Sequence, residues 1–178
     1  YVARWNGTAW NALGGSGNGA LNGGVFALTA LGGDLYAGGV FTDAAGIAEA
    51  DYVARWNGSA WSALGGSGGN GALGGPVRAL TASGNDLYAG GSFTNAAGIA
   101  EADYVARWNG SAWSALGGSG GNGALNNAVS ALAAGGNDLF VGGTFQNAAG
   151  NLAADLVAAY AAPPSVSAIT RLDPNPTG

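Results

Sequence analysis

A tandem repeat governs what this chain can fold into. Tyr1, Tyr52 and Tyr104 each open a copy of the phrase YVARWNG[TS]AW[NS]ALGG, and Gly38-Gly39, Gly90-Gly91 and Gly142-Gly143 mark three copies of L[YF][AV]GG. Tyr52 to Leu73 is identical to Tyr104 to Leu125 over 22 residues, and the diglycines recur every 52 residues. Units of this kind bury their apolar faces only against their neighbours, so the expected architecture is an array of like units.

Within each unit, four short apolar segments are separated by turn formers, with no useful stretch of helical period. In the second full unit the predicted strands run over 77–82, 87–94, 104–108 and 111–116. Ser83-Gly84-Asn85-Asp86 reads as a tight turn, and Asn109-Gly110 as a two-residue type I′ hairpin turn with positive φ at both positions. Alternation puts Tyr104, Ala106 and Trp108 on one strand face, and Val105 and Arg107 on the other. The paired glycines remove side chains where another backbone or a large ring must come close.

Composition narrows the chemistry. The chain has no His, no Cys and no Met, and its five basic residues are all arginine. Thiol nucleophiles, Ser-His relays, zinc sites and disulfides are therefore excluded, and no catalytic role, cofactor or metal is expected. A net charge of −5 without lysine offers neither a nucleic-acid footprint nor a basic membrane patch. Hydrophobic residues at 48%, with aromatics recurring in register, argue against disorder.

A diglycine strand, then a strand ending in an aromatic, a tight turn and Trp-x-x-Leu resembles the blade of kelch-type, galactose-oxidase-like β-propellers. The turn phrase appears as Trp56-Asn57-Gly58-Ser59-Ala60-Trp61 and Trp108-Asn109-Gly110-Ser111-Ala112-Trp113. It is similar to the VARWNGSAW…LYAGGxFT repeats of large bacterial surface proteins, which implies an all-β fold of four-stranded, propeller-like blades. One departure matters: galactose-oxidase-type enzymes hold copper through Tyr and His, and this chain has no His. The repeat domain spans 1–163, with units near 1–51, 52–103 and 104–163. The first unit opens at a third strand, and the last loses its fourth-strand tryptophan, so both ends read as incomplete. Residues 164–178 form a C-terminal strand or linker resembling the start of a bacterial immunoglobulin-like module. A β-trefoil is the alternative fold.

Few side chains stand out as candidates. Glu49 with Arg55 and Glu101 with Arg107 are expected ion pairs, because Glu and Arg disappear together in the third copy (Ala153, Ala159) while Asp51, Asp103 and Asp155 persist and are expected to bond local backbone. Trp56, Trp61, Trp108 and Trp113 stack on glycans or fill the core. Asn6-Gly7-Thr8, Asn57-Gly58-Ser59 and Asn109-Gly110-Ser111 match the glycosylation sequon, yet the hairpin demands the same Asn-Gly. Asp34, Asp86 and Asp138, with Asp43, Asn95 and Asn147, carry oxygen donors suited to calcium, but isolated turn carboxylates ordinarily cap their own backbone.

An unpaired last edge without lysine is open to strand addition. Tyr1, Trp5, Leu156, Tyr160 and Ile169 mark the expected assembly edges. Single-chain propellers hold about four to eight blades, so copies of the chain are the expected partner, joined head to tail in a ring or filament. The functional expectation is a non-catalytic, extracellular structural protein of the bacterial cell surface, with a carbohydrate-binding propeller as the alternative.

Overall fold

The computed structural model describes residues 2–14, 19–161 and 169–170. The chain is all-β, with four antiparallel sheets among the described residues. β1 (Ala3–Trp5) and β2 (Trp10–Ala12) form a two-stranded hairpin. Three four-stranded meanders follow. The first contains β3 (Val25–Leu31), β4 (Asp34–Gly39), β5 (Val53–Trp56) and β6 (Trp61–Ser62). The second contains β7 (Val77–Ser83), β8 (Asp86–Gly91), β9 (Val105–Trp108) and β10 (Trp113–Ala115). The third contains β11 (Val129–Gly135), β12 (Asp138–Gly143), β13 (Val157–Ala161) and β14 (Ile169–Thr170). Their first strands pack in succession, β3 on β7 and β7 on β11, so the sheets stand as consecutive propeller-like blades. The sheets remain separate and close no barrel among the described residues, which removes the trefoil alternative.

Why the blades pack this closely is visible at the diglycines. A Cβ on Gly38 would meet Val77 Cγ1 at 2.5 Å and Leu80 Cδ1 at 3.2 Å, both from the following blade. Gly90 stands in the same relation to Val129 and Leu132. The second glycine answers a different need. Gly39, Gly91 and Gly143 each lie against the carbonyl of the residue just before the first strand (Gly24, Pro76 and Ala128), beside a register shift that brings the two backbones together.

Cross-strand register sorts each blade into two faces. Leu35 pairs with Trp56 and Ala37 with Ala54, and these face the preceding hairpin alongside Leu13, Leu21 and Trp61. Tyr36 pairs with Arg55 and Gly38 with Val53, and these face the following blade, where Val77 and Leu80 complete the cluster. Phe41, Phe93 and Phe145, one in each unit, are fully buried.

Several expectations change. The last blade does have a fourth strand, because β14 pairs with β13 through Ala159 with Thr170 and Tyr160 with Ile169. A β-branched pair from the tail thus satisfies backbone groups that β13 would otherwise leave open. Ile169 is therefore an intrachain strand residue and no bare edge. The WNGSAW hairpin has a four-residue connection, since Trp108 pairs with Trp113. Only glycine takes positive φ there (Gly110, 96°), while Asn109 Oδ1 accepts from the N–H groups of Ser111 and Ala112 and from the Ser111 hydroxyl. The asparagine serves as an acceptor in the turn, so it does not need a left-handed backbone. Tyr52, Tyr104 and Leu156 lie just outside their strands with φ of 61°, 61° and 63°, a region bulky residues rarely occupy. This turn gives each Tyr carbonyl to the N–H of Gly39 or Gly91, and each Tyr N–H to Phe41 or Phe93.

Candidate functional site

The third- and fourth-strand tryptophans form one tilted pair per hairpin, with ring centroids 5.6 Å apart for Trp5 and Trp10, 5.5 Å for Trp56 and Trp61, and 5.4 Å for Trp108 and Trp113. Their environments then diverge. Trp61 Nε1 donates to the Leu13 carbonyl and Trp113 Nε1 to the Leu64 carbonyl, each at 2.6 Å, and both rings are buried. A buried indole needs such an acceptor, and here it ties each of the first two complete blades to the unit before it. Trp61 and Trp113 therefore have no face open to a sugar, and Trp56 and Trp108 are half-buried beside them. Trp10 and Trp5, at the same positions of the first hairpin, are 71% and 51% exposed.

The charged residues are arranged differently from the expectation. Arg55 does not meet Glu49. Its Nε and Nη2 lie 2.7 and 2.6 Å from Asp34 Oδ2, and Arg107 Nε lies 2.8 Å from Asp86 Oδ2. The pairing follows from register: Arg55 stands opposite Tyr36, two residues from Asp34 on the same face of β4. Glu49 and Glu101 instead accept backbone N–H bonds from Gly69 and Gly121 in the next interblade loop. Their joint loss with arginine in the third copy thus has two separate causes. Ala153 is followed by no glycine loop of this type, and Ala159 brings no cation to Asp138 from the third strand.

Asp51, Asp103 and Asp155 do bond backbone. Their Oδ1 atoms accept from Asp43, Asn95 and Asn147 N–H, eight residues earlier in each unit. Asp51 and Asp103 also accept from Gly71 and Gly123 in the following loop, so each carboxylate pins two loops together. The [DN]AAG segments form short 3₁₀ turns (Ala44–Gly46, Ala96–Gly98, Ala148–Gly150) that sequence periodicity did not reveal. Among the described residues, no three carboxylates gather as a metal site. Burial raises the Tyr36 phenol above its usual range, with Arg55 lowering it and Asp34 raising it; burial likewise raises Tyr88, with Asp86 adding to the shift and Arg107 opposing it.

Two open faces remain. On the upstream side of β3, Leu28 is 50% exposed although its counterpart Leu80 is only 9% exposed. Beside it an apolar groove of about 420 Å³ runs between β1 and β3, lined by Arg4, Trp5, Leu28, Leu35 and Trp56. On the far side of the third blade, Leu156 and Val157 are exposed, and a Cβ on Gly142 would find nothing nearer than 3.7 Å. Tyr1 lies outside the described residues, as do 162–168 and 171–178. Among the described residues no helix is long and apolar enough to cross a membrane. No protein-family model matches the chain, and no curated protein matches it.

Proposed function

We propose that the chain is a non-catalytic structural repeat protein of a bacterial cell surface whose copies associate head to tail. One observation carries this reading: among the described residues, the outer faces of the first and third complete blades expose positions that are covered where one blade meets the next. Val157 is 54% exposed where Val53 is 2%, and Leu28 is 50% exposed where Leu80 is 9%. The two faces differ, one presenting side chains and the other a glycine notch, so contact between them is heterologous and extends from copy to copy. A charged fraction of 8% leaves little repulsion to oppose such contact. The resemblance to VARWNGSAW repeats of bacterial surface proteins, and a composition without Cys or Met to oxidise, support the extracellular setting.

Light scattering and electron microscopy at micromolar concentration test the association. Assemblies of defined geometry are the expected result, and a monomer throughout the concentration series refutes the reading. A glycan-binding role would rest on Trp5 and Trp10, the tryptophans with open rings. A glycan array with wild type and Trp10→Ala separates that alternative.

A further inference from the structure

The three blades share one irregularity and carry different chemistry on it. In β3, β7 and β11 the register shift falls after the first residue of the strand, so Phe26, Arg78 and Ser130 are bulged residues without a cross-strand partner. A bulge takes a side chain out of the strand's alternation and re-aims it, and all three residues are exposed. Residues 25–73 and 77–125 differ at five positions: Phe26/Arg78, Leu31/Ser83, Gly33/Asn85, Val40/Ser92 and Asp43/Asn95. Two of these five meet at the bulge. The Phe26 ring and Val40 both lie over Gly24, where a Cβ would find them at 3.2 and 3.5 Å, and Arg78 Nε donates to Ser92 Oγ at 3.2 Å. The bulged residue and its neighbour therefore change together, from two apolar groups in the first blade to a donor and its acceptor in the second. In the third blade both positions carry hydroxyls, Ser130 and Thr144.

Neither pair is absorbed by the packing of the blades. Phe26 and Val40 are exposed hydrophobics, and Arg78, unlike Arg55 and Arg107, meets no carboxylate among the described residues. The bond to Ser92 holds the guanidinium through Nε and leaves both Nη groups open. The two bulges are neighbours, because Gly38, two residues before Val40, lies against Val77, the residue before Arg78. We infer that these two bulges form one binding site for a small organic acid bearing an aromatic group. The Nη groups of Arg78 take the carboxylate by charge-assisted hydrogen bonds, and Phe26 with Val40 takes the ring. A singly charged carboxylate suits the site better than a phosphate ester, because one arginine stands in a chain of net charge −5 that repels further negative charge. The corresponding serine and threonine of the third blade offer neither a cation nor a ring, so the site belongs to the first two blades alone.

Phenylacetate titrated into the full chain and followed by amide chemical shifts tests the site, with acetate and 2-phenylethanol as the two halves of the probe. A ligand of about ten non-hydrogen atoms should bind in the millimolar range, with saturable shifts centred on Phe26, Val40, Arg78 and Ser92. Acetate and 2-phenylethanol should each bind about tenfold more weakly, since each gives up one half of the contact. Arg78→Ser and Phe26→Ser both place at the bulge the residue that the third blade already carries there, so the fold is retained in each. Arg78→Ser should weaken phenylacetate binding about tenfold and Phe26→Ser about fivefold, whereas Arg107→Met should leave it unchanged. Absence of saturable binding to wild type, shifts centred elsewhere, wild-type affinity in either serine variant, or acetate binding as tightly as phenylacetate overturns the proposal.

Discussion

The junction between the first and second complete blades and the outer face of the third are built from the same repeat positions, with opposite results. At the junction, Val53 and Gly38 meet Val77 and Leu80, leaving Val53 2% exposed. On the third blade, Val157 and Gly142 hold the same places, and Val157 is 54% exposed. The residue type at a position therefore does not decide its burial; the presence of a neighbouring unit does. This is the energetic signature of a repeat array, in which the interface term rather than the single unit carries much of the stability.

The largest expected contrast is between tryptophans. Trp113→Ala removes a buried ring and its bond to Leu64, and should cost about 3–5 kcal/mol, whereas Trp10→Ala should cost under about 1 kcal/mol in the isolated monomer. Urea unfolding followed by circular dichroism measures both, and equal losses would erase the distinction. Glycine comes next. Gly90→Ala forces a methyl into Val129 and should cost about 1–3 kcal/mol, while Gly142→Ala meets only ordinary contacts and should be close to neutral. If both are neutral, the close approach of blades is not what the diglycine serves.

Smaller effects probe the loops. Asp103→Ala frees the N–H groups of Asn95 and Gly123 together and should cost about 1–2 kcal/mol; Asp155→Ala frees that of Asn147 and should cost less. Hydrogen exchange at those amides reads the difference directly. Arg107→Met should change stability by only about 0.2–1 kcal/mol, because the pair with Asp86 is partly exposed, and high salt should shrink the change further. The last contrast is absent at neutral pH. Tyr36 and Tyr88 have phenols raised by burial, whereas the third blade carries Phe140 there. A raised acid leaves stability intact below the unfolded tyrosine value of about 10 and removes it as pH climbs through the folded value. Thermal melts of wild type should therefore fall above about pH 10, and a Tyr36→Phe, Tyr88→Phe double variant should fall less.

Much of the fold could be read from the repeat alone. Four short segments, a diglycine and a Trp-x-x-x-x-Trp hairpin recurring together define a four-stranded meander, and the predicted strands at 77–82 and 87–94 overlap β7 and β8. Residue type misleads where it permits two geometries. Asn-Gly is the usual signature of a two-residue turn, but four residues separate the paired tryptophans, and the count sets the turn. Glutamate and arginine vanishing together suggested one contact, although strand register gives the arginine an aspartate from the neighbouring strand. The tail was the hardest to read. Ile169-Thr170 shares no motif with Trp61 or Trp113, and a two-residue strand is recognised only by what it pairs with.

The indole bonds between blades have a genetic consequence. Trp61 reaches back 48 residues to Leu13 and Trp113 reaches back 49 to Leu64, so the first complete blade supplies one donor to the unit before it and one acceptor to the unit after it. A segment one period long, inserted in register, brings both, and the added unit needs no compensating substitution elsewhere. The identical tract shared by Tyr52–Leu73 and Tyr104–Leu125 supplies a long homologous stretch at which misaligned recombination would make such insertions or remove them. Copy number can then drift while every junction stays the same, and natural variants of this chain should differ by whole units more readily than by changes within one.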